Sequence, residues 1–180
     1  MAQHLTREQF RTWAIGQKGR FERVAGEPVA MAPERIAHAR IKARIWAALD
    51  RAIRDEGLPC EALPDGITIE VDQDTDYEPD AVVNCGPLVS GDEVAATNPV
   101  IVVEVLSPGT QSVDLGGKFA DYFKVPTIHH YLIVRTLRRE VIHHSRSGSD
   151  VVSRVISIGC IVLDPPGISI DLAHIYPAGG

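Results

Sequence analysis

A chain of 180 residues, 44% hydrophobic, 23% charged and 6% aromatic, is long enough to bury a core and rules out a disordered or fibrous protein. Its formal net charge of -6 and pI of about 5.6 argue against a protein that coats nucleic acid or anionic membrane through its overall field. A local basic patch is still compatible with those numbers.

Thr6 with Gln9 makes a capping box, and Phe10, Trp13 and Ala14 follow at helical spacing, so residues 7–15 are predicted to form a short helix. "FERVAGEPVAM" then reads as a β-hairpin turning at "AGE". Pro33 opens the longest helical pattern, 34–56, with His38, Ile41, Ile45, Leu49, Ala52 and Ile53 on one stripe and Gly57 as its stop. Strands are expected at 66–71, 80–84 and 99–106, the first two separated by the carboxylate-rich "DQDTDYE", read as a solvated bend. The run 99–106 is apolar on both faces, as in a central strand covered on two sides. A helix near 114–124, a buried strand "HHYLIV", a hairpin turning at "SRSGSD" and a Pro/Gly-rich tail complete the chain.

Cys60, Cys85 and Cys160 are odd in number, far apart and form no CxxC, which predicts reduced thiols packed as small core residues. No stretch reaches the ~18 apolar residues of a membrane span, and polar residues interrupt the N-terminus where a signal peptide would be apolar. The reading is a soluble cytoplasmic protein with no membrane partner.

One acid breaks the central strand. Glu104 lies inside "VIVVEVL", where a carboxylate must bind a cation, pair with a base or become neutral. Asp80 opens a neighbouring strand after Pro79, and two carboxylates from adjacent strand ends can share a hard cation such as Mg²⁺. Lys118, with Asp114 one turn before it and Tyr122 one turn after, shares a helix face that can look back at the strand end. The bland alternative is a structural ion pair between Glu104 and a base, with Lys118 on a solvated face.

Pro79-Asp80 followed by Glu104-Val105-Leu106 resembles the Pro-Asp…Glu-x-Lys signature of the PD-(D/E)XK nuclease superfamily, with Leu106 where lysine ordinarily stands. The longer pattern of "YEPDAVV", "PVIVVEVLSPGTQSVDLGGKFADYFKV", "HHYLIV" and the earlier "FERVAGEPVAMAP" is similar to the Uma-two family within that superfamily. In that family the lysine has migrated to the following helix, which maps onto Lys118. The resemblance implies a single nuclease-like domain over 1–180: an α/β (α+β) restriction-endonuclease-like core with a central mixed sheet flanked by helices and a terminal hairpin. It further implies Mg²⁺ or Mn²⁺ on Asp80 and Glu104, catalysis by Asp80, Glu104 and Lys118, DNA as substrate, and a possible homodimer. Glu27 and His38 match positions the family often retains, as an outer metal ligand and a water or phosphate contact, with Tyr122 a further accessory. Glu22 is a further acid in the same region, ranked below Glu27. Arg135 stands where the family usually has Asp, a departure.

The competing motifs fail on spacing. "GTQSVDLGGKF" has Ser112 and Phe119 where a phosphate loop needs Gly and Ser or Thr. His129/His130 and His143/His144 are adjacent on strands, so each pair points to opposite faces and cannot chelate one ion. Ser107 lacks a nucleophile elbow, and Asp72, Asp74 and Asp76 lack the glycine and distal Glu of a calcium loop. The two function classes left are a metal-dependent endonuclease and a catalytically silent nuclease-like binding or assembly protein.

Overall fold

A computed structural model of the chain describes residues 4–106 and 115–177. Thr6 and Gln9 close the expected capping box at the start of α1 (Arg7–Ile15). Trp13 of α1 packs edge-on against Phe21 of β1 (Phe21–Val24), ring centres 4.9 Å apart. The turn to β2 (Glu27–Ala30) is the pair Ala25-Gly26, both left-handed at φ 50° and 79°, the conformation a two-residue hairpin loop requires. β1 also pairs with β5 (Asp76–Tyr77), and β5 with β4 (Ile69–Glu70), giving a small sheet ordered β2-β1-β5-β4.

The main sheet has six strands, ordered β10-β9-β8-β7-β6-β3. These are β3 (Cys60–Pro64), β6 (Ala81–Cys85), β7 (Pro99–Leu106), β8 (His130–Arg135), β9 (Val141–Ser147) and β10 (Asp150–Ile156). Only β7 and β8 run parallel, joined through α3 (Leu115–Tyr122). β7 is covered on both faces, as its apolar run requires. Ile101, Val103 and Val105 pack with Ile41, Ile45 and Leu49 of α2 (Ile36–Asp55) and with β11 (Cys160–Leu163), β12 (Ile168–Asp171) and α4 (Leu172–Ile175). Val102 and Leu106 pack on the other face with Tyr77, Tyr122, Ile128 and Tyr131. The fold is therefore the expected mixed α/β architecture, a central mixed sheet flanked by helices with a β9–β10 hairpin.

Several expectations need correction. Cys60 and Cys85 are joined in a disulfide between β3 and β6, and Cys160 is exposed, so the cysteines are not three buried thiols. A disulfide between two of the three removes the free-thiol ground for a reducing compartment. "GITIEV" contributes only Ile69–Glu70 as strand. "DQDTDYE" is not wholly a solvated bend: Asp76 is buried in β5, where Arg23 Nε donates to it at 2.7 Å and an Arg7 amino nitrogen lies 2.8 Å away. The Pro/Gly-rich tail folds as β11, β12 and α4, because Ile161, Leu163, Ile168 and Ile170 alternate inward around the Asp164–Gly167 turn. Among the described residues no helix is long and apolar enough to cross a membrane.

Candidate active site

Glu104 sits on the α3 face of β7, between Val102 and Leu106, both buried in the apolar cluster there. Its Oε1 accepts a hydrogen bond from Lys118 Nζ at 3.1 Å and another from the Tyr122 hydroxyl at 2.7 Å. Lys118 and Tyr122 stand four residues apart on α3, so one helix face delivers both donors to one carboxylate oxygen. Lys118 Nζ also donates to Glu22 Oε1 at 2.8 Å and lies 4.9 Å from the Tyr77 ring centre, within cation–π range. Glu22 is held in turn by the backbone N–H of Glu78 at 3.0 Å. Strand, helix and small sheet thus each supply one charged side chain.

Asp80 precedes β6, and its N–H donates to the Val103 carbonyl at 2.9 Å, which places it beside Glu104 across the β6–β7 pair. Its Oδ2 accepts the Val105 N–H at 2.7 Å. His38, from the first turn of α2, reaches the same point: Nε2 is 2.8 Å from the Val105 carbonyl and 3.4 Å from Asp80 Oδ2, while Nδ1 is 2.9 Å from Glu34 Oε1. The Asp80 carboxylate pushes His38 up to about 9 against the effect of burial, so the ring is an imidazolium donating through both nitrogens. Burial pushes the Glu104 carboxyl up to about 7; Lys118 opposes the rise and the carboxylates of Asp80 and Glu22 add to it. Burial, with Glu104 beside it, raises the Tyr122 hydroxyl well above the ordinary tyrosine range.

A chain of alternating charge leads away from Asp80, starting at Lys42 Nζ 4.0 Å from its Oδ1. Lys42 of α2 binds Glu34 and lies 3.0 Å from Asp65; Arg20 lies 2.6 Å from Asp65 and 2.9 Å from Glu78. Glu34, Lys42, Asp65, Arg20 and Glu78 are absent from the sequence reading. Only Glu34, His38 and Lys42 carried a signal, spaced by fours through the start of α2, with Glu34 just ahead of its N-cap Arg35; the others are brought in from 23 to 58 residues away.

The structure brings together Asp80, Glu104, Lys118, Tyr122 and His38. It does not bring in Glu27, which is exposed at the start of β2; Glu22 occupies the place beside Lys118. The reason is topological: β2 is the outer strand of the small sheet, whereas β1 lies next to β5 and its Tyr77. Asp114 lies outside the described residues. Arg135 faces Glu140 at 2.7 Å, so an ion pair stands where the family Asp was expected. Arg146 is committed to the carbonyls of Phe123, Val125 and Ile128. Arg40, Arg44 and Arg51 of α2 form no ion pair among the described residues.

Among the described residues no three His, Cys, Asp or Glu side chains are grouped to hold a metal ion. A cation here would rest on two carboxylates, Asp80 and Glu104, with water completing its shell, a pattern Mg²⁺ accepts. The donor chemistry fits. Both hydrogen bonds to Glu104 fall on Oε1, so among the described residues Oε2 accepts none.

The model of the family Uma2, described as "Putative restriction endonuclease", matches residues 7–169. An uncharacterized protein of Synechocystis sp. is 30% identical over 148 residues, covering 81% of this chain and 77% of that protein. The fold is shared with a crystal structure from Anabaena variabilis, described as a putative nuclease belonging to DUF820. The TM-score is 0.71 at 11% identity, over 96% of this chain and 97% of that one.

Proposed function

Because the chain belongs to the Uma2 family, we propose that this cluster hydrolyses DNA phosphodiester bonds with Mg²⁺ or Mn²⁺ held by Asp80 and Glu104. The observation that carries the reading is Lys118 Nζ at 3.1 Å from Glu104, delivered by α3 while Leu106, in the usual lysine position, is buried among apolar side chains. A bound cation would polarise the phosphate and acidify a water. Lys118 positions that water or stabilises charge growing on the phosphate. Tyr122 fixes the rotamer of Glu104, and the Val105 N–H with His38 fixes Asp80. Glu22 sets the resting position of the lysine. Arg40, Arg44 and Arg51 share one flank of α2 over about 16 Å, on the side of the helix away from His38 and Lys42, and offer cations to phosphates beyond the cluster itself.

The same Lys118 contacts support a second reading. An ammonium bonded to both Glu22 and Glu104 is also what a structural ion pair in a silent nuclease-like binding protein would look like. Incubating supercoiled and single-stranded DNA with Mg²⁺, Mn²⁺ or EDTA separates the two, beside Asp80→Ala and Lys118→Ala. Metal-dependent nicking lost in both variants supports the enzyme. Absence of cleavage together with absence of a calorimetric signal for Mn²⁺ leaves the binding protein.

A further inference from the structure

β10 closes one end of the main sheet, paired with β9 on one side and with no described strand on the other. A seven-residue edge presents a row of unpaired N–H and C=O groups, a template for another strand. The hairpin loop is Gly148-Ser149, with Ser147 paired to Asp150. In a two-residue loop the flanking pair is hydrogen-bonded. Asp150, Val152 and Arg154 therefore turn their backbone groups toward β9, and Val151, Ser153 and Val155 turn theirs outward. Asp150, Val152, Ser153, Arg154 and Val155 are exposed, and among the described residues neither Asp150 nor Arg154 forms an ion pair.

We propose that two copies of this chain pair β10 to β10, antiparallel, about a two-fold axis at Val152. This inference is independent of the cleavage reading. In that register Val151 of each copy exchanges hydrogen bonds with Ser153 of the other, using the outward groups. Asp150 stands opposite Arg154 twice, and Val152 opposite itself, in the closely spaced non-hydrogen-bonded positions where cross-strand side chains touch. Neighbouring registers lose this match. An axis at Ser153 sets Arg154 against Val152 and Asp150 against Ile156, an axis at Arg154 sets like charges face to face, and an axis at Val151 sets Arg154 against Gly148. Charge complementarity thus selects one register and one occupant, a second copy, and the six-stranded sheet becomes continuous across the dimer.

Sedimentation equilibrium over a range of protein concentrations tests the proposal on the full chain, with far-UV circular dichroism confirming the fold of each variant. The expected result is a wild-type dimer, a dissociation constant raised about tenfold or more by Arg154→Asp or Asp150→Arg, and recovery in the double charge swap. Ser153→Pro removes an outward N–H that the β9 ladder does not use, so it should also give monomers without unfolding the hairpin. A wild-type monomer at the highest soluble concentration, a dimer unchanged in Arg154→Asp and Ser153→Pro, or a double swap that stays monomeric would overturn it.

Discussion

The Tyr122 hydroxyl donates to Glu104 Oε1 at 2.7 Å, on the same oxygen that Lys118 binds from one helical turn away. The phenol ring is packed between Tyr77 and Tyr131, ring centres 5.4 and 5.0 Å distant, so the hydroxyl can be removed without disturbing the stack. Tyr122→Phe should cost about 1–3 kcal/mol, the loss of one hydrogen bond to a charged group, and lower cleavage without abolishing it. Thermal melts beside a nicking assay check this; a variant as stable and active as wild type would remove Tyr122 from the site.

Lys118 is nearly buried between two acids, and taking one partner from a buried pair leaves charge uncompensated. Lys118→Ala should destabilise by about 3–5 kcal/mol and reduce cleavage by about a hundredfold or more. Lys118→Met with Glu104→Gln should recover part of the stability and none of the cleavage. If the double variant cleaves, the lysine is structural.

If the arginines of α2 meet DNA phosphates as proposed, those contacts set the salt dependence of binding. Arg40→Ala, Arg44→Ala and Arg51→Ala together should reduce the slope of log K for DNA against log salt by about 2–3, since each contact contributes about 0.9. Fluorescence anisotropy at several NaCl concentrations gives that slope. An unchanged slope places the DNA elsewhere.

His130 Nδ1 lies 2.9 Å from His143 Nε2 on the sheet face away from Glu104, and burial lowers both imidazoles to about 4 from the ordinary 6.5. In the folded protein both stay neutral while the unfolded chain takes up protons. Stability is therefore complete above pH 6.5 and is lost as pH falls toward 4. Melting temperatures from pH 8 to pH 4 should fall across that window, and His130→Gln with His143→Gln should flatten the fall. Parallel profiles for the two proteins would count against the pair.

The Cys60–Cys85 bond ties edge strand β3 to β6 across a sequence separation of 25. Closing a loop of that size is worth about 3 kcal/mol. Cys60→Ser with Cys85→Ser should lower the melting temperature by that equivalent, and reductant should reproduce the drop in wild type alone. Alkylation followed by mass spectrometry counts the free thiols directly.

Much of this was legible wherever the signal is local. Thr6 and Gln9 announce α1, the Ile41–Ile45–Leu49 stripe announces α2, and an acid inside an unbroken apolar strand announces the site. That Lys118 and Tyr122 share one helix face followed from their spacing, and the place of Lys118 beside Glu104 was what the family resemblance implied. What stayed hidden depends on partners far along the chain. Glu22 and Glu27 are both plausible acids until the order of a four-stranded side sheet decides between them. Arg20 and Asp65 meet only because β1 and the loop after β3 converge on α2. β3 has no alternation of its own and is a strand because β6 pairs with it.

The two coats on β7 set different rules for adjacent positions along one strand. Ile101, Val103 and Val105 answer only to volume, so neighbouring aliphatic residues should substitute there with small losses. Glu104, between them and facing the other way, answers to charge, length and a buried hydroxyl at once. A saturation library across 101–105 would therefore split in two: aliphatic residues accepted at 101, 102, 103 and 105, and near-total intolerance at 104.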